Sequence, residues 1–158
     1  MGSDSDFPVV KAAVEKLRGF GVPVEVHVMS AHRTPDAAAE FSKNAAADDF
    51  GIIIAAAGKA AHLGGVLAAH TTLPVIGIPI RSMSLDGMDA LLSTVQMPPG
   101  VPVATVGIDS AANAAILAVQ MLALSDPALM EALQKMKDGM AAGVAKKDAA
   151  MQELVKTL

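Results

Sequence analysis

The chain has 158 residues, no Cys, 53% apolar residues and a formal net charge of −4. This length fits one domain with a full core, and the lack of any disulfide fits the cytoplasm. The acidic balance argues against broad nucleic-acid binding, and no apolar run reaches the ~18 residues that a membrane span needs. We expect no secretory signal, and because only 18% of residues are charged we expect a homo-oligomer that buries apolar surface between subunits.

A loop of small polar residues, 2–6, opens the chain and precedes an amphipathic helix that ends at Gly21. The loop either cradles an anion with its backbone N–H groups or caps the helix, and the spacing leaves both open. Such a loop normally follows a strand. Because an absent central strand would leave two rows of backbone groups unpaired, we expect residues ahead of Met1 to supply it.

Apolar runs predict four strands, and helical spacing predicts the helices between them. The predicted strands are 24–29, 51–56, 74–79 and 103–108, and the helices after the first are 35–47, 61–70, 88–95 and 111–124. Their alternation predicts an α/β fold with a parallel sheet and helices on both faces. From residue 126 the composition predicts one or two amphipathic helices. We therefore expect a single domain, 1–158, with an α/β core over 1–125 and a helical tail over 126–158.

The segment 30–35 lies where the first predicted strand gives way to a helix, with Thr34 as its cap and Pro35 at its first position. His32 and Arg33 therefore lie at the carboxyl end of a strand, where open α/β sheets bind ligands. An imidazole transfers protons near neutral pH, and a guanidinium binds phosphate or carboxylate through paired hydrogen bonds. The pattern predicts proton transfer on a small anionic ligand.

His62 lies in a second small-residue turn at a strand end, and it is either a reactive group or a structural histidine. His27 is expected in the core or an interface, and His70 is expected to be solvated or to cap a helix. The chain has no Cys and no ligand spacing for zinc, no phosphate-loop or dinucleotide fingerprint, and no nucleophile elbow. We expect an enzyme that uses neither a metal nor a cofactor.

Several motifs in chain order resemble the N5-carboxyaminoimidazole ribonucleotide mutase family of purine biosynthesis. Residues 2–6 resemble its GSxSD loop, 30–35 its SAHRTP corner, 55–63 its AGAGGAAHL turn and 93–102 its SxVQMPxGxP segment. Asn113 begins a match to its NAA helix start. The resemblance covers nearly the whole chain.

The chain departs from the family pattern in the turn 55–63, where Ala56 and Lys59 stand in place of glycine. Ala56 is a mild change if its φ is negative. Lys59 adds a positive charge close to where an anionic substrate would bind. The family's first strand is also absent.

The resemblance implies a flavodoxin-like three-layer sandwich with a C-terminal helical extension, assembled as a homo-octamer with sites at subunit junctions. It implies that His32 is the general acid and base and that His62 positions a carboxylate or CO2. The residues that it implies for binding the ribonucleotide substrate are Ser3, Asp6, Ser30, Arg33, Gly58 and Leu63.

The implied reaction moves a carboxylate from the exocyclic amine to carbon 4 of the imidazole ring by decarboxylation and recarboxylation, in the cytoplasm. Two alternatives stay open. One is the related aminoimidazole ribonucleotide carboxylase, which takes free CO2 on the same fold. The other is a nucleotide-binding or assembly module that has lost its activity.

Overall fold

A three-stranded parallel sheet organises the first part of the chain, in a computed structural model that describes residues 1–158. The strands, in spatial order, are β1 (Ile53–Gly58), β2 (Val75–Ile80) and β3 (Ala104–Thr105). They belong to a compact unit over Met1–Ala118, and Val119–Leu158 forms a second unit. The predicted α/β fold with a parallel sheet is confirmed.

Six α-helices accompany the sheet, after a short 3-10 turn at Asp4–Asp6. They are α1 (Phe7–Gly19), α2 (Pro35–Asn44), α3 (Leu63–Ala68), α4 (Met88–Val95), α5 (Ala111–Leu122) and α6 (Pro127–Val155). Each lies where helical spacing placed one, although α3 is shorter than predicted. The predicted tail is the single helix α6, whose N-terminus is capped by the Asp126 carboxylate 2.9 Å from the Ala128 nitrogen. None of the helices combines the length and the hydropathy that a membrane crossing needs.

The centre of the core lies on β2, which is buried along its whole length. Ile76 and Ile78 are among the largest side chains with no appreciable exposure. A continuously apolar strand of this kind is covered on both faces by helices, which is why it shows no alternation in the sequence. β3 is shorter than the predicted strand 103–108, since only Ala104 and Thr105 pair with β2.

The predicted strand 24–29 is wrong as a sheet member: the segment belongs to no regular element. None of the N–H groups of residues 24–28 makes a backbone hydrogen bond. Val26 and Val28 are 42% and 57% exposed, although alternating valines usually indicate a half-buried strand. The physical reason is that a strand needs a partner for its backbone groups. The nearest strand, β1, pairs with β2 and not with this segment.

Met1 and Gly2 lie between this segment and β1. The Met1 nitrogen donates to the His27 carbonyl at 2.8 Å, and the Met29 N–H donates to the Met1 carbonyl at 3.0 Å. One residue that bonds to the two residues on either side of its cross-strand neighbour is the pattern of parallel strands. On the other side, the Gly2 N–H donates to the Ala56 carbonyl at 3.0 Å. A strand ahead of Met1, between residues 24–28 and β1, stays a prediction.

Candidate active site

A direct contact between two histidines forms the centre of the candidate site. His32 Nε2 and His62 Nδ1 lie 2.9 Å apart, and the rings meet edge to face. The first ring follows the segment 24–29, and the second ring ends the turn between β1 and α3. A hydrogen bond between two imidazoles needs one nitrogen without a proton, so at most one of the two rings is cationic while the bond is present.

A compact turn over Ser30–Arg33 sets the position of His32. The Ser30 hydroxyl accepts from the His32 and Arg33 N–H groups at 3.3 and 3.2 Å. The Thr34 N–H donates to the Ser30 carbonyl at 2.9 Å, which closes the turn. Pro35 occupies the first turn of α2 as predicted, but Thr34 makes no side-chain cap; its hydroxyl accepts from the Ser30 N–H at 2.9 Å instead. Ser30 therefore organises this corner through both its backbone and its side chain.

Arg33 links the His32 turn to the loop at the start of the chain. Its Nη2 donates to the Gly2 carbonyl at 3.1 Å. Because the Gly2 N–H is bonded to Ala56 on β1, the loop, the turn and the strand are tied together at one edge. Motif spacing did not identify the Gly2 carbonyl as a partner of Arg33, although it lies in the motif beside Ser3.

The loop at 3–6 forms a cap and brings two hydroxyl groups together, and anion binding by its backbone N–H groups stays a prediction. The Ser3 hydroxyl oxygen accepts from the Ser5 N–H at 3.3 Å and from the Ser5 hydroxyl at 2.9 Å. Ser3 caps the turn Asp4–Asp6, whereas the Asp6 side chain makes no cap bond to α1. Ser5 is exposed and Ser3 is half-buried, at the same edge as Arg33.

Asp6 is a buried carboxyl group at the base of this loop. Asp6 is only 8% exposed. Burial raises its pKa above the usual carboxyl value, and hydrogen bonds from Ser3 and Ser5 oppose this by lowering the pKa. A desolvated carboxylate is a strong acceptor for the hydroxyl groups of a ligand, which offset its loss of water.

Replacing Asp6 with Asn is expected to stabilise the ligand-free protein at neutral pH. Folding raises the pKa of Asp6, so the protonated side chain stabilises the folded state. This contribution is complete below the unfolded-state pKa and is lost as pH rises through the folded-state pKa. We expect the Asp6→Asn melting temperature to exceed the wild-type value by about 1–3 °C at neutral pH and the difference to vanish in acid. Thermal melts from about pH 4 to pH 8 measure it. A constant difference across that range would contradict the assignment.

Gly58 and Leu63 flank the turn that carries His62. Gly58 ends β1 opposite Ile80, and a Cβ at Gly58 would lie 3.2 Å from the Ile80 carbonyl oxygen, so a side chain is poorly accommodated. Leu63 is 2% exposed and belongs to the hydrophobic core, so its side chain is not presented at the surface. Its N–H makes no backbone hydrogen bond.

The two departures from the family pattern have different conformations. Ala56 is absent from the residues with positive φ, so the condition for a mild change is confirmed. Lys59 has a φ of +54°, the left-handed region in which a residue with a Cβ costs about 1–2 kcal/mol relative to its ordinary conformation. The sequence identified both positions, but it did not reveal that one of them is strained.

The geometry therefore connects His32, His62 and Arg33 and brings the hydroxyl loop beside them. Nowhere do three His, Asp or Glu side chains form a cluster suited to a metal ion. His27 is half-exposed, with Nε2 3.1 Å from the Glu25 carboxylate and its ring against Phe41. His70 is exposed.

This arrangement, a pair of imidazoles and an arginine at the carboxyl edge of a parallel sheet, is that of an α/β enzyme that transfers protons on an anionic substrate. The model of the AIR carboxylase family matches residues 1–143. The chain belongs to the AIR carboxylase family.

Curated relatives support this membership along nearly the whole chain. N5-carboxyaminoimidazole ribonucleotide mutase of Pyrococcus abyssi is 55% identical over 140 residues, which are 89% of this chain and 80% of that protein. The protein of the same name from Methanocaldococcus jannaschii is 52% identical over 156 residues, 99% of this chain and 97% of the relative. The solved structure of Treponema denticola PurE has a TM-score of 0.87 at 27% identity, covering 94% and 93% of the two chains. The flavodoxin-like fold is thereby confirmed.

Proposed function

We propose that this chain is an N5-carboxyaminoimidazole ribonucleotide mutase, which forms 4-carboxyaminoimidazole ribonucleotide in purine biosynthesis. The observation that carries the proposal is the His32–His62 contact beside Arg33, in a chain about half identical to proteins of that name. A ribonucleotide offers a phosphate for Arg33 and the Ser3 hydroxyl, and ribose hydroxyls for the Asp6 carboxylate. We propose that the backbones of Ser30, Gly58 and Leu63 also contact the substrate.

In the proposed reaction His32 acts first as an acid and then as a base. It donates a proton to the exocyclic nitrogen as the bond from that nitrogen to the carboxylate carbon breaks, which releases CO2. Carbon 4 of the aminoimidazole ring attacks that CO2, and His32 removes the ring proton to restore aromaticity. One proton leaves the histidine and one returns, so the cycle closes on a single group.

His62 contributes by holding the His32 ring, since its Nδ1 is already engaged with His32 Nε2 at 2.9 Å. Whether it also positions the carboxylate or CO2 stays a prediction. The residues next to the two histidines are small and apolar: Ala31 packs against the core and Ala61 is 1% exposed. In the proposed reaction CO2 stays beside its acceptor, which is a proximity effect.

We propose that the working form is a homo-octamer in the cytoplasm, with sites at subunit junctions. Two helices support an assembly because each leaves apolar side chains uncovered. On α4, Met88 and Leu92 are one turn apart and are 50% and 49% exposed; on α6, Met140 and Val144 are 63% and 66% exposed. Burying such faces between copies removes apolar area from water. Light scattering of the active protein is expected to give roughly eight times the 16.0 kDa chain mass.

The deciding experiment is turnover of N5-carboxyaminoimidazole ribonucleotide with no ATP or metal added, followed by identification of the carboxylated product. We expect conversion to the carbon-4 carboxylate. Product formed only from aminoimidazole ribonucleotide and bicarbonate would assign the chain to the carboxylase reaction instead. No product from either substrate, in a preparation that binds the nucleotide, would favour a binding module that has lost activity.

A further inference from the structure

Lys59 is the least expected residue of the turn between β1 and α3. Its φ of +54° lies in the left-handed region, and the other residues with a side chain there are Asp49, Asp86 and Asp109. Aspartate adopts this conformation more readily because its short side chain bonds to the nearby backbone. A lysine has no such compensation, so the turn carries strain that a glycine would relieve.

Nothing in the fold offsets this strain through the lysine side chain. The side chain is exposed, and none of the ion pairs of the structure includes it. Strained residues that make no structural contact are concentrated at functional sites, where the side chain serves a ligand.

The position of Lys59 relates it to one end of the site. Its carbonyl accepts from the Ala61 N–H at 2.9 Å, inside the turn that presents His62. Arg33, the other cation of the site, follows His32 and is directed to Gly2 beside the Ser3 loop. The two cations therefore belong to the two different loops that the histidine contact joins. A substrate with a phosphate and a separate carboxylate has one anionic group for each.

We propose that the Lys59 ammonium binds the carboxylate that the reaction moves, an inference that rests on the proposed function. A lysine supplies a point charge on a flexible four-carbon stem, so it can follow this group between its two attachment positions. The carboxylate is anionic in the substrate and in the product, but it is neutral CO2 between them. Lys59 thus stabilises both bound ground states and contributes nothing to the intermediate. Removing the charge therefore raises KM. It also raises kcat by a similar factor, because the barrier then starts from a less stabilised bound substrate, so kcat/KM changes little.

The test compares Lys59→Gln with the wild-type enzyme. We expect KM for the carboxylated substrate to rise about tenfold, the scale of one charge-assisted hydrogen bond. We expect kcat to rise by a similar factor, so that kcat/KM stays within about twofold. Calorimetric titration with 4-carboxyaminoimidazole ribonucleotide is expected to show the same weakening. Titration with aminoimidazole ribonucleotide, which has the phosphate but no carboxylate, is expected to give equal affinity for both proteins. Equal KM values, or equal weakening of both ligands, would overturn the proposal.

Two more variants separate the effect of the Lys59 charge on affinity from the effect of its backbone strain on stability. Lys59→Arg keeps the charge and is expected to restore most of the affinity. Lys59→Gly is expected to lose affinity like Lys59→Gln but to raise the melting temperature by about 2–4 °C, because the strain disappears. A Lys59→Gly enzyme that binds the carboxylated ligand like wild type would overturn the role of the charge. Wild-type protein that gives no mutase product refutes the proposed function itself, whereas an active wild type with an unaffected Lys59→Gln refutes this inference alone.

Discussion

The kcat of the His32→Asn variant is expected to fall by a factor of ~10² to 10⁴, the usual contribution of a general acid and base. Asparagine cannot carry the proton between the exocyclic nitrogen and the ring. Its amide can still donate to His62 Nδ1, which His32 Nε2 contacts at 2.9 Å, so the turn keeps its contact. Steady-state kinetics on the carboxylated substrate measure the loss, and calorimetric titration with the product tests whether binding is retained. A kcat within tenfold of wild type would remove His32 from the chemistry.

A matched pair of substitutions at His62 separates the roles of the two histidines. An asparagine at this position offers a carbonyl oxygen near the place of Nδ1, whereas an alanine offers no acceptor. If His62 holds the His32 ring, His62→Asn is expected to keep a much larger share of kcat than His62→Ala. Equal kcat values for the two variants would show that the contact to His32 is not what His62 contributes.

An apolar segment of about six residues joined ahead of Met1 is expected to stabilise the protein by roughly 3–6 kcal/mol, or about 10 °C in melting temperature. The bonds of Met1 to His27 and Met29, and of Gly2 to Ala56, fix the register in which it would continue. It would pair with residues 24–28 on one side and β1 on the other, which satisfies both open rows of backbone groups. The gain is net of ordering the added residues. The segment should be rich in β-branched residues, which favour the strand conformation.

Hydrogen exchange distinguishes this pairing from a general effect of a longer chain. The amides of residues 24–28, which make no backbone hydrogen bond, are expected to become protected in the extended protein. An extension of equal length that contains prolines at alternate positions is the control, since proline cannot donate to a sheet. Equal melting temperatures and unprotected amides in both proteins would contradict the expected pairing with residues 24–28 and β1.

The sequence by itself determined most of the helices and strands of this protein, and its family. The buried strand β2 was readable as a continuous apolar run, and Pro35 marked the first turn of α2, because both signals are local. The motifs around Ser3, His32 and His62 identified the family and the residues on which the site is built. They did so because residue types with acid, base and anion-binding chemistry recur at strand ends.

Only the tertiary structure decided which of these groups meet. No spacing in the chain gives the 2.9 Å contact between His32 and His62 or the Arg33 bond to the Gly2 carbonyl, because they depend on how separate loops pack at one edge. The same holds for the segment 24–29, whose alternating valines predict a strand that has no partner. It holds also for Lys59, since its φ of +54° is imposed by the turn around it. Local pattern specifies an element, whereas pairing, strain and proximity depend on residues far away along the chain.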